Sequence, residues 1–167
     1  NDNTLSIAKK YSDQVIKHSS NLGYDQALNS GFKKASELDF KFAVTFDADG
    51  QHDSNIIKKY FDTLSSGYDL VIGVRNKTNR FSENIFGFYS NIKFGIKDPL
   101  CGLKGYNLEI YKELGFFDSY NSIGTEMMLY AAKNKKKISQ IKFNVSKRID
   151  KPRIGNIIKA NFIILKS

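Results

Sequence analysis

The sequence predicts an α/β fold, a mostly parallel sheet with helices on both faces. Three observations predict it. Short β-favouring runs alternate with helical periods along the chain. The joints between them are short and polar. Two of the runs, Phe42-Ala43-Val44-Thr45-Phe46 and Leu70-Val71-Ile72, carry no charge, as befits strands covered on both faces.

Taken in order, Leu5, Ile7, Ala8, Tyr11 and Val15 follow a helical period behind Asp2, Asn3 or Thr4 as N-cap. Residues 14–18 close that helix and open a short strand. Turn chemistry at Asn21-Leu22-Gly23-Tyr24 leads into a helix over 25–38, with Ala27, Leu28, Phe32 and Ala35 on one face. A buried strand over 41–46 ends in Asp47-Ala48-Asp49-Gly50. A second amphipathic helix covers 55–64 and is closed by Gly67. A strand follows at 69–73, then a polar loop at 75–80 and an aromatic-rich helix over 82–94. A strand at 102–106, a short helix at 108–114, a helix at 125–133, a strand at 138–145 and an amphipathic helix at 154–166 complete the pattern. No repeat or linker interrupts it, so residues 1–167 read as one domain.

Composition narrows the function classes. With 167 residues, 41% hydrophobic and 13% aromatic, the chain has enough apolar area to offset chain entropy, which excludes disorder. No run of about 18 uncharged apolar residues is present to span a membrane. Asn1-Asp2-Asn3-Thr4 does not resemble a signal peptide. Cys101 is the one cysteine, which excludes an intrachain disulfide and a multi-cysteine zinc site and fits a reducing, cytoplasmic setting. The net charge of +9 suits an anionic partner: nucleic acid, an acidic membrane surface or a phosphorylated small molecule. Most of that excess is scattered lysine, the pattern of a solvated surface. The four arginines, Arg75, Arg80, Arg148 and Arg153, are better suited to gripping phosphate oxygens in pairs.

The strongest local signal is Asp47-Ala48-Asp49-Gly50-Gln51-His52-Asp53 at a strand end, where ligand sites of open α/β sheets lie. Two carboxylates one residue apart can hold a hard cation such as Mg²⁺ or Mn²⁺ and leave positions for substrate phosphates. The plainer reading is that Asp47, Asp49 and Asp53 cap the following helix. His52 beside the motif reads as a hydrogen-bonding neighbour rather than a ligand, and Cys101 as a buried structural thiol.

This segment resembles the metal-binding signature of family 2 glycosyltransferases, in the branch of dolichyl-phosphate mannose synthase. Other segments match in the same order. Asn21-Leu22-Gly23 with Ala27-Leu28-Asn29-Ser30-Gly31 is similar to the family's Asn-x-Gly and Ala-x-Asn-x-Gly segment. Asp69-Leu70-Val71-Ile72-Gly73-Val74-Arg75 resembles its Asp-Leu-Val-Ile-Gly-x-Arg strand, and Asp98 to Tyr106 its acceptor-side Asp-x-x-x-Gly-x-(Lys/Arg) turn. Arg148 and Arg153 resemble the arginines of the loop before the final helix.

The resemblance implies a GT-A fold, a nucleotide-diphosphate-sugar donor, Mg²⁺ or Mn²⁺, and inversion at the anomeric carbon. It implies Asp47, Asp49 and Gln51 at the metal, and Asn21, Gly23, Asp47, Asp49, Arg75, Arg148 and Arg153 at the donor. Glu126, opening a helix after Gly124-Thr125, is the first candidate for the general base, and Asp98 the second. An acceptor that is a lipid phosphate is already ionised and needs no base; a glycan hydroxyl does.

The family's opening strand, its Pro-x-(Tyr/Phe)-Asn-Glu turn and a second strand ending Asp-Asp-Gly-Ser find no match. The expectation is a domain lacking its N-terminal first strands, with exposed sheet edges that favour homo-oligomers. The 154–166 helix packs on the domain's own sheet or lies on an anionic membrane face, placing the protein peripherally on the cytoplasmic membrane. Two competitors are a metal-dependent nucleotidyltransferase, whose Gly-rich phosphate loop is not found, and a basic binding module. The Lys133, Lys135, Lys136 and Lys137 cluster that would support the latter is equally a solvated helix end, so no nucleic-acid partner is expected.

Overall fold

The computed structural model describes residues 3–47, 50, 52–76, 81–120, 122 and 124–145. Helices α1 (Thr4–Tyr11) and α2 (Tyr24–Glu37) precede β1 (Phe42–Thr45). Helix α3 (Ile56–Ser65), β2 (Leu70–Arg75), α4 (Phe81–Phe94), β3 (Lys104–Asn107) and α5 (Leu108–Leu114) follow. Helix α6 (Glu126–Lys133) and β4 (Ile138–Phe143) end the described part. The expected loop arginines at 148 and 153 and the expected helix at 154–166 lie outside the described residues.

The strands pair in the order β1-β3-β2-β4. Strand β3 is antiparallel to both β1 and β2, whereas β2 and β4 are parallel. Three of the four strands therefore run in one direction and β3 alone is reversed. Periodicity marks a strand without giving its direction, so this reversal was not readable from the pattern. Its consequence is local: β3 begins at the end of the sheet where β1 and β2 stop.

Helices cover both faces, as alternation along β2 requires. Leu70 and Ile72 join Phe32, Tyr106, Leu108, Ile110, Phe117, Met127 and Met128 in one core, beneath α2, α5 and α6. Val71 joins Tyr60, Leu64, Cys101, Leu103 and Ile141 in the other, beneath α3. On the first face the rings of Phe32 and Phe117 stack at 4.7 Å, and Tyr106 meets Phe32 edge-on at 5.2 Å. Helix α3 lies so close on the second face that a Cβ at Gly73 would come within 2.8 Å of the Tyr60 hydroxyl.

One expected element does not form. Helix α1 stops at Tyr11, where Ser12 Oγ accepts the Gln14 N–H at 3.2 Å and turns the chain. Residues 14–18 then run without regular structure and Ile16 stays 46% exposed, because no described strand lies beside them to pair with.

Candidate functional site

The candidate site lies where β1 and β2 stop and β3 starts. Buried Thr45, the last residue of β1, donates its hydroxyl to the Gly102 carbonyl at 2.6 Å. The same oxygen accepts the Lys104 N–H at 3.1 Å. That clip fixes the 102–104 backbone against the two residues that follow β1. Half-buried Asp47 consequently lies over Gly102: its Oδ2 is 2.7 Å from where a Cβ at Gly102 would stand. The Tyr24 hydroxyl is 3.6 Å from the same point. Burial, then the Asp47 and Asp25 charges, push the Tyr24 phenol well above its ordinary range, so it remains a neutral donor.

Asn21 and Gly23 form the turn that sets Tyr24 there. Asn21 Oδ1 accepts the Gly23 N–H at 3.0 Å, and Gly23 has φ 90°, a conformation that favours glycine. Their side-chain and backbone roles shape the start of α2. Gly50 also has positive φ, 78°, which lets the chain turn after the acidic motif. Asp49 and Gln51 lie outside the described residues. Asp53 accepts the Asn55 N–H at 3.0 Å and serves the turn into α3. The His52 ring lies against Phe46 and Phe143, with centroids at 5.6 and 5.2 Å.

At the end of β2, Arg75 is gripped by buried Asp98. Its Nε and Nη2 donate to the two carboxylate oxygens, both at 2.8 Å, and its backbone N–H adds a third bond at 3.0 Å. Glu83 of α4 lies 3.2 Å from Nη2. Burial works against the Arg75 charge; the Asp98 hydrogen bonds and the Asp98 and Glu83 charges more than reverse it, so the guanidinium is held firmly protonated. Arg75 and Asp98 thus meet each other, and both Asp98 oxygens are engaged. A groove of about 210 Å³ opens beside this fork, lined by Glu83, Asn84, Gly87, Phe88, Asn91, Lys97 and Asp98.

Lys104 completes the cluster. Its side chain is 2% exposed, and burial pulls its ammonium down to about 8 despite nearby Cys101, Asp98 and Asp47. Cys101 beside it is fully buried, and burial pushes its thiol up to about 11.

Glu126, the first residue of α6, belongs to a second network. Its Oε2 accepts the Ser119 N–H at 2.6 Å and its Oε1 the Ser119 hydroxyl at 2.9 Å. Buried Asp118 organises this loop, accepting the Gly124, Tyr120 and Ser122 N–H groups and the Ser122 hydroxyl. Asn29 of α2 ties the loop down through the Phe117 N–H at 2.8 Å and the Asp118 carbonyl at 2.7 Å. Asp118, Tyr24 and Lys104 were not candidates from the sequence. The signal for Asp118 was present, in an aspartate followed within seven residues by serine, asparagine, glycine and threonine, the composition of a side-chain-capped loop.

Among the described residues no three His, Cys, Asp or Glu side chains form a metal cluster. Asp47 nevertheless has the hard oxygen that Mg²⁺ or Mn²⁺ takes, and the missing Cβ at Gly102 makes room for that carboxylate at the sheet end. Asp47, the one described member of the expected ligand set, fits such an ion by its donor chemistry.

The family model for Glycosyl transferase family 2 matches residues 1–136. Over 143 residues the chain is 30% identical to the UDP-N-acetylglucosamine–dolichyl-phosphate N-acetylglucosaminyltransferase of Methanococcus voltae, covering 76% of this chain and 57% of that one. Over 138 residues it is 29% identical to the dolichol-phosphate mannosyltransferase of Pyrococcus furiosus, covering 74% and 37%. The chain thus spans less than two thirds of the length of these relatives. The crystal structure of glucosyl-3-phosphoglycerate synthase from Mycobacterium tuberculosis with Mn²⁺, uridine-diphosphate-glucose and glycerol 3-phosphate shares the fold. The TM-score is 0.62 at 16% identity, over 86% of this chain and 53% of that one.

Proposed function

Since this chain belongs to glycosyltransferase family 2, we propose that it carries the catalytic machinery for moving a sugar from a nucleoside-diphosphate donor to a lipid-phosphate acceptor, with inversion. The observation that carries this reading is the Asp47 carboxylate held over Gly102, at the sheet end that also gathers Tyr24, Lys104 and the Arg75–Asp98 fork. Two of the relatives are named for dolichyl- or dolichol-phosphate transfer, and a structural neighbour was crystallised with Mn²⁺ and a nucleotide sugar.

In this reading Asp47, Asp49 and Gln51 would hold Mg²⁺ or Mn²⁺, and the ion would supply Lewis-acid stabilisation of negative charge on the diphosphate. The acceptor oxygen forms a bond to the anomeric carbon while the bond from that carbon to the donor's phosphate oxygen breaks, its electron pair leaving with the nucleoside diphosphate. Asn21 and Gly23 support the donor side through the start of α2. Arg148 and Arg153 contribute further cations to the phosphates. Arg75 acts from within its fork with Asp98, fixing the wall between donor and acceptor. A phosphate acceptor is already anionic, so Glu126 serves to order the Ser119 loop rather than to remove a proton.

A lipid acceptor also accounts for α4. Phe88, Ile92, Tyr89 and Ile85 stand on one stripe with exposures of 70, 69, 53 and 45% beside the groove that borders Asp98. That stripe suits an acyl or prenyl chain and peripheral contact with a membrane at its cytoplasmic face. Among the described residues no helix is long and apolar enough to cross one.

The test is transfer of labelled sugar from UDP- and GDP-sugars to farnesyl phosphate, with Mn²⁺ or with a chelator. Metal-dependent transfer that Asp47→Asn abolishes supports the proposal. No transfer and no binding of any nucleoside diphosphate in the presence of metal overturns it.

A further inference from the structure

Lys104 stands out because it is a buried cation to which no described side chain is joined. Its side chain is 2% exposed, yet among the described residues its ammonium makes no hydrogen bond or ion pair; the bond through its main chain is to Thr45. Removing an ammonium from water is costly unless an anion compensates. The two described carboxylates near it do not close on it. Asp98 spends both oxygens on Arg75, and Asp47 lies over Gly102. Nor does packing require a cation there: its β3 neighbour on the same face, Tyr106, joins the apolar core, and a methionine would fill the same stem volume.

The fold also fixes where this charge stands. Lys104 pairs with Thr45 across β1–β3 and with Ile72 across β3–β2, so it sits centrally at the sheet end, between the strand leading to Asp47 and the strand leading to Arg75. A preorganised, desolvated cation at that point meets an incoming anion with far less screening than a surface lysine would.

We infer that Lys104 is a phosphate-binding residue of the site, its ammonium pairing with a phosphoryl oxygen brought in by substrate. This rests on the proposed function and adds a residue to it. A phosphoryl group can come from the donor's diphosphate or the acceptor's phosphate, and the two sources are separable.

The experiment measures binding by calorimetry to wild type, Lys104→Met, Lys104→Arg and Asp47→Asn, using UDP with Mn²⁺, UMP with Mn²⁺, and farnesyl phosphate, with melting temperatures of the unliganded proteins alongside. Lys104→Met is expected to melt at or above wild type, to lose phosphate-probe affinity by on the order of 30-fold or more, and to recover part of it as Lys104→Arg. A loss confined to UDP, with the preference for UDP over UMP collapsing, assigns the donor diphosphate; a loss confined to farnesyl phosphate assigns the acceptor. Unchanged affinity for all three probes overturns the inference. So does a Lys104→Met protein melting well below wild type, which would make the ammonium a structural counter-ion to Asp47 and Asp98. If wild type binds UDP with Mn²⁺ and Asp47→Asn does not, while Lys104→Met binds every probe normally, this inference alone falls. If wild type binds no probe, the functional reading falls with it.

Discussion

Alanine at Gly102 separates the chemistry of the site from the stability of the fold. The new Cβ would stand 2.7 Å from Asp47 Oδ2, where ordinary contact begins at 3.4 Å. The carboxylate must therefore retreat by about 0.7 Å or rotate away. Against a metal–oxygen bond of about 2.1 Å that tolerates little angular error, such a shift removes the ligand from its position. A change of this kind beside a ligand is expected to weaken binding of UDP with Mn²⁺ by about 10–100-fold. The atom displaced is the end of a half-buried side chain, so the cost to folding should stay below about 1 kcal/mol. Calorimetry and urea denaturation on one preparation read both quantities. Normal affinity in a folded Gly102→Ala protein would refute the reasoning, because it would mean the Asp47 carboxylate has no part in binding. A large loss of stability would refute it too, by showing that Gly102 serves packing first.

Three other outcomes follow from the same geometry. Asp98→Asn leaves the Arg75 guanidinium with Glu83 as its remaining anion among the described residues and should lower unfolding free energy by about 3 kcal/mol, read from urea midpoints; a change under about 0.5 kcal/mol would show that the fork contributes little. Glu126→Gln should reduce turnover with farnesyl phosphate by less than about tenfold, whereas loss of a general base costs about 10²–10⁴-fold; a loss in that range would reassign Glu126 as the base and point to a hydroxyl acceptor. Cys101, fully buried and with its thiol raised to about 11, should resist iodoacetamide at pH 8 in the native protein and react once urea unfolds it; rapid native alkylation would contradict its placement beneath α3.

Much of the fold was legible because the uncharged strands and amphipathic helices obey simple periods. The run ending at Thr45 and the helix carrying Phe32 both fall within a residue or two of where periodicity puts them. Two features escaped for physical reasons. A strand's direction depends on the path of the chain before it, so β3 reads the same forwards and backwards. Residues 14–18 have β-favouring side chains, but a strand is a pairing, and among the described residues no strand lies alongside.

The site was legible in part. Asp47 declares itself as an acid at a strand end, and the Asp98-to-Lys104 turn was visible as a motif. The spacing of 23 residues between Arg75 and Asp98 gives no hint that they grip each other. Long-range pairing likewise joins Asn29 to the 117–118 backbone 88 and 89 residues away. In the sequence Lys104 is one letter of that motif, because burial of a lysine is a property of its neighbours rather than of the lysine.

The most direct measurement is the anomalous scattering of Mn²⁺ in crystals of the protein grown with UDP. The account predicts one strong peak about 2.1 Å from an Asp47 carboxylate oxygen, at the end of β1 and in contact with the UDP diphosphate. A metal bound elsewhere, or UDP bound while the Asp47 carboxylate faces away from it, would contradict the account.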